Sequence, residues 1–448
     1  MRIAIIGAGI VGVTTAFELA VDGHDVTVYE RRGSVAAETS FAITGMVSPS
    51  HVTPWASPGM RGKFLRALFQ RHSPVHINAR LTPQTLRWMS KWWRACSRGT
   101  NAANRASMQR LALYSQARLR EMTTRLKLDY ERADGCLMLL RTDEDVALAQ
   151  PGLSLLRDLG IKHQVLDREA SLMVEPGLNP ATPLSAAIHL PDDEVGNCRQ
   201  FAHQLRTAAQ TIGARFHFHT EVERIVPGTR PALALRTNAA ADSDLPSVMA
   251  EGGRHGFAAT IPMVEQPDHE VVDAVIVCAA MGSHRLLAPH GLKLPLLAVH
   301  GYSVTAPIRQ LEGQADGGPR SGIVDEQYKV SIGRLGSRIR AAGCVELGGH
   351  PTRHNKAAID TLYKVLDDWY PGIARLSRAQ SWKGARPMLP DGPPILGPSG
   401  IPGVWLNLGH GSDGWALACG SARVVADMLA SRAPGVDTAA LTIDRLRH

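Results

Sequence analysis

The sequence predicts a mixed α/β fold. A domain built on a parallel sheet is split along the chain, and a second domain, built on an antiparallel sheet plus helices, is inserted into it. Three observations predict this. Residues 2–6, 10–21 and 26–30 read as a strand, a helix and a strand, a complete βαβ opening within about 30 residues. Near the other end, residues 404–408 read as a strand that runs into Gly409-His410-Gly411 and then a helix from about 415 to 430. Between them, residues 302–305, 329–332 and 338–343 alternate apolar and polar side chains as antiparallel strands do.

The bulk composition is that of an ordinary globular chain. It has 448 residues, 44% hydrophobic and 20% charged, which suits two or three domains of roughly 100–200 residues and excludes disorder. No apolar run reaches the roughly 20 residues of a spanning helix. The apolar start lacks a basic leader and a small-residue cleavage site, so no signal peptide is expected. Six cysteines are scattered without a CxxC pair, which argues against a disulfide framework or zinc site and fits a reducing cytoplasm. Cys278 ends an apolar run and reads as a small core residue.

In order along the chain, residues 10–21 have helical spacing, with Val13, Phe17 and Ala20 on one side and Gly23 beyond the end. Residues 61–128 read mainly as helices, broken by Pro74 and Pro83. Strand pieces at 139–141 and 164–166 flank a helix near 145–159. A helix at 197–209 and a strand at 215–219 follow, then a stretch at 227–264 rich in Ala, Gly, Pro and Ser, read as a loose insertion or extended hairpin. A buried strand at 271–278 and a helix at 356–369 complete the pattern. The expected division is 1–58, 193–290 and 386–448 for the nucleotide domain, with 59–192 and 291–385 for the substrate domain.

Gly7-Ala8-Gly9-Ile10-Val11-Gly12 is G-x-G-x-x-G placed between a strand and a helix, with Glu30 ending the next strand. This is the Rossmann context. Gly7 permits the tight turn, Gly9 lets the backbone approach a pyrophosphate, and Gly12 lets helix and strand pack closely. The helix N-terminus offers free N–H groups to the phosphates, and Glu30 suits the adenosine ribose diol. The fingerprint leaves NAD and FAD open. Two further stretches favour FAD: Glu38-Thr39-Ser40-Phe41-Ala42, whose hydroxyls and backbone suit the flavin end, and Asn407-Leu408-Gly409-His410-Gly411, a second strand-to-glycine-to-helix turn. A helix N-terminus there suits the N1–C2=O region of a flavin, where negative charge develops on reduction.

With these residues in hand, the chain resembles the D-amino acid oxidase and glycine oxidase superfamily of flavoproteins, and within it the bacterial D-amino acid dehydrogenases of small-subunit type. The similarity runs nearly end to end. It includes Ser48-Pro49, Pro54-Trp55-Ala56, Gly301-Tyr302-Ser303, Asp325-Glu326-Gln327-Tyr328-Lys329, Arg386-Pro387-Met388, Pro390-Asp391-Gly392, Pro394-Ile395-Leu396-Gly397 and Gly414-Trp415. The resemblance implies that a D-amino acid passes its Cα hydrogen as hydride to flavin N5, that the imino acid hydrolyses to a 2-oxo acid and ammonia, and that electrons leave to a quinone or other carrier. It implies that Arg386 holds the substrate carboxylate and that Tyr328 donates its hydroxyl to the same group. It also implies Tyr302 as a candidate for the pocket wall and His410 as the residue that shapes the flavin turn. A planar guanidinium matches a carboxylate in two-pronged fashion. The resemblance also implies Arg31, Thr39, Ser40, Gly45, Met46, Val222, Ala279, Gly409, Gly411, Gly414 and Trp415 as FAD contacts. Two places depart from the family pattern: His300 stands where a lysine precedes Gly-Tyr-Ser, and Ile43-Thr44-Gly45 replaces Asn-Ala-Gly. Both bear on substrate range. A secondary-amine dehydrogenase or oxidase, acting on sarcosine, glycine, D-proline or D-hydroxyproline, shares these features and is the alternative.

Charge is uneven. The net charge is +8, yet residues 61–127 hold fifteen Lys and Arg against one acid, Glu121. Trp88, Trp92 and Trp93 stand among Arg87, Lys91 and Arg94, a pattern shared by interfacial helices and by helices whose tryptophans face a core. Peripheral contact of 61–127 with a membrane, and a place at the inner face of the cytoplasmic membrane, are the corresponding expectations. A flavoprotein that modifies or binds RNA is the reading from another class. It is disfavoured by the lack of interleaved stacking aromatics. No metal is expected: His72 and His76 lack a third ligand and Pro74 lies between them.

Overall fold

The computed structural model describes residues 1–60, 62, 72–77, 82–237, 269–309 and 317–446. In chain order its principal elements are β1 (Arg2–Ile6), α1 (Ile10–Val21), β2 (Asp25–Tyr29), β3 (Met46–Val47), α2 (Pro83–Ala95), α3 (Arg98–Leu126), β4 (Ala133–Leu140), β5 (Ala186–Val195), α4 (Cys198–Thr211), β6 (Arg215–His217), β7 (Ala274–Val277) and β8 (Leu297–Pro307). They continue with β9 (Gly322–Asp325), β10 (Val330–Leu335), β11 (Arg338–Leu347), α5 (Lys356–Trp369), β12 (Gln380–Met388), β13 (Ile395–Pro398), β14 (Val404–Leu408) and α6 (Gly414–Leu429).

Two large sheets organise these elements. The first has six strands in the order β13-β14-β7-β1-β2-β6, all parallel except for the β13–β14 pair. It draws on both ends of the chain, as the opening and closing strand–turn–helix units predict. Strands buried on both faces need continuous apolar runs, and β1 and β7 supply them. The second sheet has ten strands. Its main path runs β12-β8-β11-β10-β9-β4-β5-β3 and is mostly antiparallel. α5 packs on one of its faces through Ala358, Leu362, Val365, Leu366 and Trp369.

α1 is buried along nearly its whole length, including Glu18. That carboxylate is held by Arg118 of α3 at 2.7 Å and Arg423 of α6 at 2.9 Å, so one buried acid ties three helices together. Removing either partner from such a group strands a buried charge. Arg118 belongs to the basic segment and is spent on this internal pair. Leu111, Ala112, Leu119 and Met122 of α3 join the same apolar core as α1 and α6.

Several elements differ from the sequence expectation. The strand expected at 215–219 ends at His217, and His219 turns at φ 54° into a new strand, Thr220–Val226. That strand pairs with Ala232–Thr237, which pairs in turn with His269–Val271, so a small three-stranded sheet occupies part of the expected loose stretch. Residues 238–264 of that stretch lie outside the described residues. The helix expected near 145–159 is Asp143–Asp158. It starts earlier because Thr142 and Asp145 form a reciprocal capping box. In the basic segment, residues 61, 63–71 and 78–81 lie outside the described residues, and His76 sits on a short strand, Val75–Ile77, not on a helix. Trp88 and Trp92 are core residues packed with Val299 and Met388, whereas Trp93 is exposed.

Candidate active site

The strand-to-helix turns of β1–α1 and β14–α6 open on one elongated cleft. It is lined by Gly7, Gly9, Ile10, Val11, Glu30, Arg31, Thr39, Ser40, Val222, Ala279, Gly409, His410, Gly411 and Gly414, all expected cofactor residues. Thr220, Glu221, Ala280, Arg285, Pro387 and Asn407 line it as well. Parallel strands put their carboxyl ends together, and ligands of such sheets bind there.

The fingerprint glycines behave as the chemistry demands. Gly7 turns at φ 102°, and a Cβ on it would lie 2.8 Å from Cys278 O. A Cβ on Gly12 would collide with the carbonyl oxygen of Gly7. Gly9 has open space by comparison, its nearest neighbour being Ser40 Oγ at 3.6 Å. Ile10 N–H, in the first turn of α1, donates to Ser40 Oγ at 3.2 Å. Glu30 accepts from the N–H of Ala8 at 2.7 Å and of Arg32 at 2.9 Å, which fixes its carboxylate at the cleft wall. Burial raises its pKa, and those two backbone N–H groups oppose the rise. A Rossmann turn cradled by backbone, an anchored acid 18 residues beyond Gly12, and a second helix N-terminus on the same cleft fit FAD.

Some expected contacts lie elsewhere. Ala8 and Gly12 serve the turn's own packing. Gly45 makes a close backbone approach to Gly196, whose N–H donates to Gly45 O at 2.9 Å. Met46 packs its thioether over Gly322 of the second sheet. Trp415 points into the core against Tyr130 and Phe201, with both ring centroids at 5.8 Å. None of these five lines the cleft.

Arg386 stands on β12, one residue before Pro387 at the cleft wall. Its guanidinium lies over Gly301 of β8, where any Cβ would collide with it. One arm, Nη1, donates to Cys344 O at 2.9 Å; among the described residues its other N–H groups have no partner. Burial works against its charge, and the carboxyl of Asp413 supports it. An oriented guanidinium with a free fork has the geometry to take a carboxylate.

The expected tyrosines do not join it. Tyr302 pairs with Lys383, and the pleat sends it to the face opposite Arg386, into the core under α5. Its hydroxyl donates to Glu346 at 2.5 Å, within a buried pair of Glu346 with Lys383 at 2.6 Å. Tyr328 packs against that same core, with Arg141 and Lys364 over its ring at 4.9 and 5.0 Å. His410 points Nε2 at Ser421 Oγ, 2.9 Å away, and burial lowers its pKa to about 3. Ser421 Oγ also lies within hydrogen-bond reach of Leu417 O, so His410 is tied to the first turns of α6 and braces the turn. Two neighbours of Arg386 were missed, beside the six further lining residues named above. Trp382 shares the Arg386 face and lays its ring over Gly384; the Trp-x-Gly-x-Arg alternation of β12 carries that signal. Asp413, at the start of α6, is the other.

The parallel sheet and the glycine cradle define a dinucleotide-binding protein. Residues 2–428 match the family model described as FAD dependent oxidoreductase, and the chain belongs to that family, with FAD as its cofactor. It is 38% identical over 450 residues to a D-amino acid dehydrogenase of Bradyrhizobium diazoefficiens, covering 100% of this chain and 99% of that one. A D-amino acid dehydrogenase of Cereibacter sphaeroides is 40% identical over 451 residues, covering 99% and 95%. The fold is similar to that of glycine oxidase from Geobacillus kaustophilus, with a TM-score of 0.70 at 20% identity over 99% and 98% of the two chains. It is also similar to the FAD-bound L-alpha-glycerophosphate oxidase of Mycoplasma pneumoniae, with a TM-score of 0.62 at 17% identity over 96% and 94%.

Proposed function

We propose that the chain oxidises D-amino acids to 2-oxo acids and ammonia as an FAD-dependent dehydrogenase. The observation that carries this is the free guanidinium fork of Arg386 on β12, one residue before Pro387 of the cleft wall, in a chain whose full-length relatives bear the name D-amino acid dehydrogenase. Bound FAD supplies the acceptor for the hydride that leaves the substrate Cα. Arg386 takes the substrate carboxylate in its fork and so fixes where Cα lies, and Trp382 walls the same face. The N-terminus of α6 offers positive potential to the cleft. The domain division is 1–58, 193–290 and 386–448 for FAD against 59–192 and 291–385 for substrate, with α3 bracing the FAD helices.

Purified yellow protein mixed without oxygen with D-alanine and other D-amino acids is expected to lose its flavin absorbance, and L-forms are expected to leave it. Bleaching by sarcosine, glycine or D-hydroxyproline alone would overturn the assignment in favour of secondary amines.

Electrons pass onward to a quinone or another carrier, and the chain meets an anionic membrane surface through α2. Leu86 and Trp93 are exposed there beside Arg87, Lys91 and Arg94, which suits an interfacial helix. Among the described residues no helix is long and apolar enough to cross a membrane. Co-sedimentation with vesicles containing anionic lipid, lost in Trp93→Ser with Lys91→Glu, is the expected result. Retention by the double variant would refute the contact.

A further inference from the structure

Asp413 stands where a helix takes its N-cap, and it does not cap α6. Its backbone sits at φ −98°, ψ 20°, outside the extended region of a capping residue, and its side chain accepts nothing from the first turn. Among the described residues, the N–H groups of Gly414, Trp415 and Ala416 have no carbonyl partner. Gly411 and Gly414, on either side of Asp413, both line the FAD cleft. The carboxyl meets the hydroxyl of Ser412, and Arg386 of β12 is the charged group that faces it. His410, from the same turn, is directed away at Ser421. An acid therefore stands between two cleft-lining glycines, at the helix terminus whose positive potential the reduced cofactor needs.

When FAD takes two electrons, negative charge grows on the pyrimidine side of its ring system. An ionised carboxylate at that place opposes the change. We propose that Asp413 couples proton uptake to FAD reduction: its carboxylate takes a proton from water as the cofactor receives two electrons, and releases it on reoxidation. The electron pair comes from the breaking Cα–H bond of the substrate, and Asp413 is neither oxidised nor reduced. Burial already lifts this carboxyl to about 7, against the opposing effects of Ser412 and Arg386, so the added charge of reduced FAD acts on a group poised to protonate.

The proposal rests on FAD binding at this cleft, and its test is the midpoint potential of the bound FAD in the holoenzyme against pH. One extra proton per two electrons makes the reduction equilibrium tenfold more pH-sensitive per unit, about 30 mV per pH unit. That extra slope is expected in the wild type from about pH 7 upward. It is expected to vanish in Asp413→Asn and Asp413→Ser with FAD retained. The same slope in wild type and both variants would overturn the proposal, including where the variants bind FAD more weakly, since a packing role alone moves affinity and not slope. A wild type that holds no FAD, or that D-amino acids do not bleach, fails the functional reading instead.

Discussion

Arg386→Leu is expected to lower kcat/KM for D-alanine by about two to three orders of magnitude with FAD still bound. Losing one member of a buried, hydrogen-bonded charge pair costs about 2–5 kcal/mol, and here the surviving member is the substrate carboxylate. The loss should fall on kcat as well as KM, because the same fork sets the position of Cα. Arg386→Lys keeps the charge and loses the planar fork, so it should recover only part of the activity. Protein stability should change little, since the native side chain makes one hydrogen bond, to Cys344 O, and no ion pair among the described residues. Steady-state kinetics beside the visible spectrum of the variant decide the matter. Unchanged kcat and KM for D-alanine would remove Arg386 from the substrate site and with it the main support for an amino acid as substrate.

The FAD half of this architecture was legible because its chemistry is carried by backbone. A turn that needs glycine at 7, 9 and 12, between a buried strand and a helix, writes itself into local sequence, and the second turn at 409–411 does the same. Arg386 was legible through its motif, and its β-strand alternation explains why it meets Gly301 and Gly384. The tyrosines were not legible. Which face of β8 meets the site depends on pairing with β12, and the pleat puts Tyr302 beside Lys383 and away from Arg386. Tyr328 sits in the turn between β9 and β10, whose position is set by Arg141 and Lys364 from distant stretches. The tryptophans of α2 show the same limit. Helical spacing put Trp88 and Trp92 on one face, but only tertiary packing reveals that this face is the core and that Trp93 is the exposed one. Asp413 escaped notice because an acid before a helix ordinarily reads as a cap.

The last two glycines of the fingerprint can be separated by experiment. Gly12→Ala is expected to yield protein that purifies without FAD and melts earlier than the wild-type apoprotein. The added Cβ meets the carbonyl oxygen of Gly7, a backbone atom that cannot rotate away, so α1 must lift from β1 and distort the turn that receives the pyrophosphate. Overpacking of this kind costs about 1–3 kcal/mol even where side chains can yield, and here none can. Gly9→Ala is expected to behave differently. Gly9 lies at φ −65°, ψ 177°, which alanine adopts freely, and its Cβ would stand 3.6 Å from Ser40 Oγ, an ordinary contact. Its apoprotein should melt as the wild type does, while its affinity for FAD falls because the methyl occupies the space through which the backbone approaches the phosphates. Calorimetric melts of FAD-free protein and fluorescence titration with FAD give both quantities. If Gly12→Ala bound FAD as the wild type does and melted with it, the turn would not be the pyrophosphate site. If Gly9→Ala lowered the melt of the apoprotein as much as Gly12→Ala, the distinction between a glycine needed for packing and a glycine needed for ligand approach would be lost.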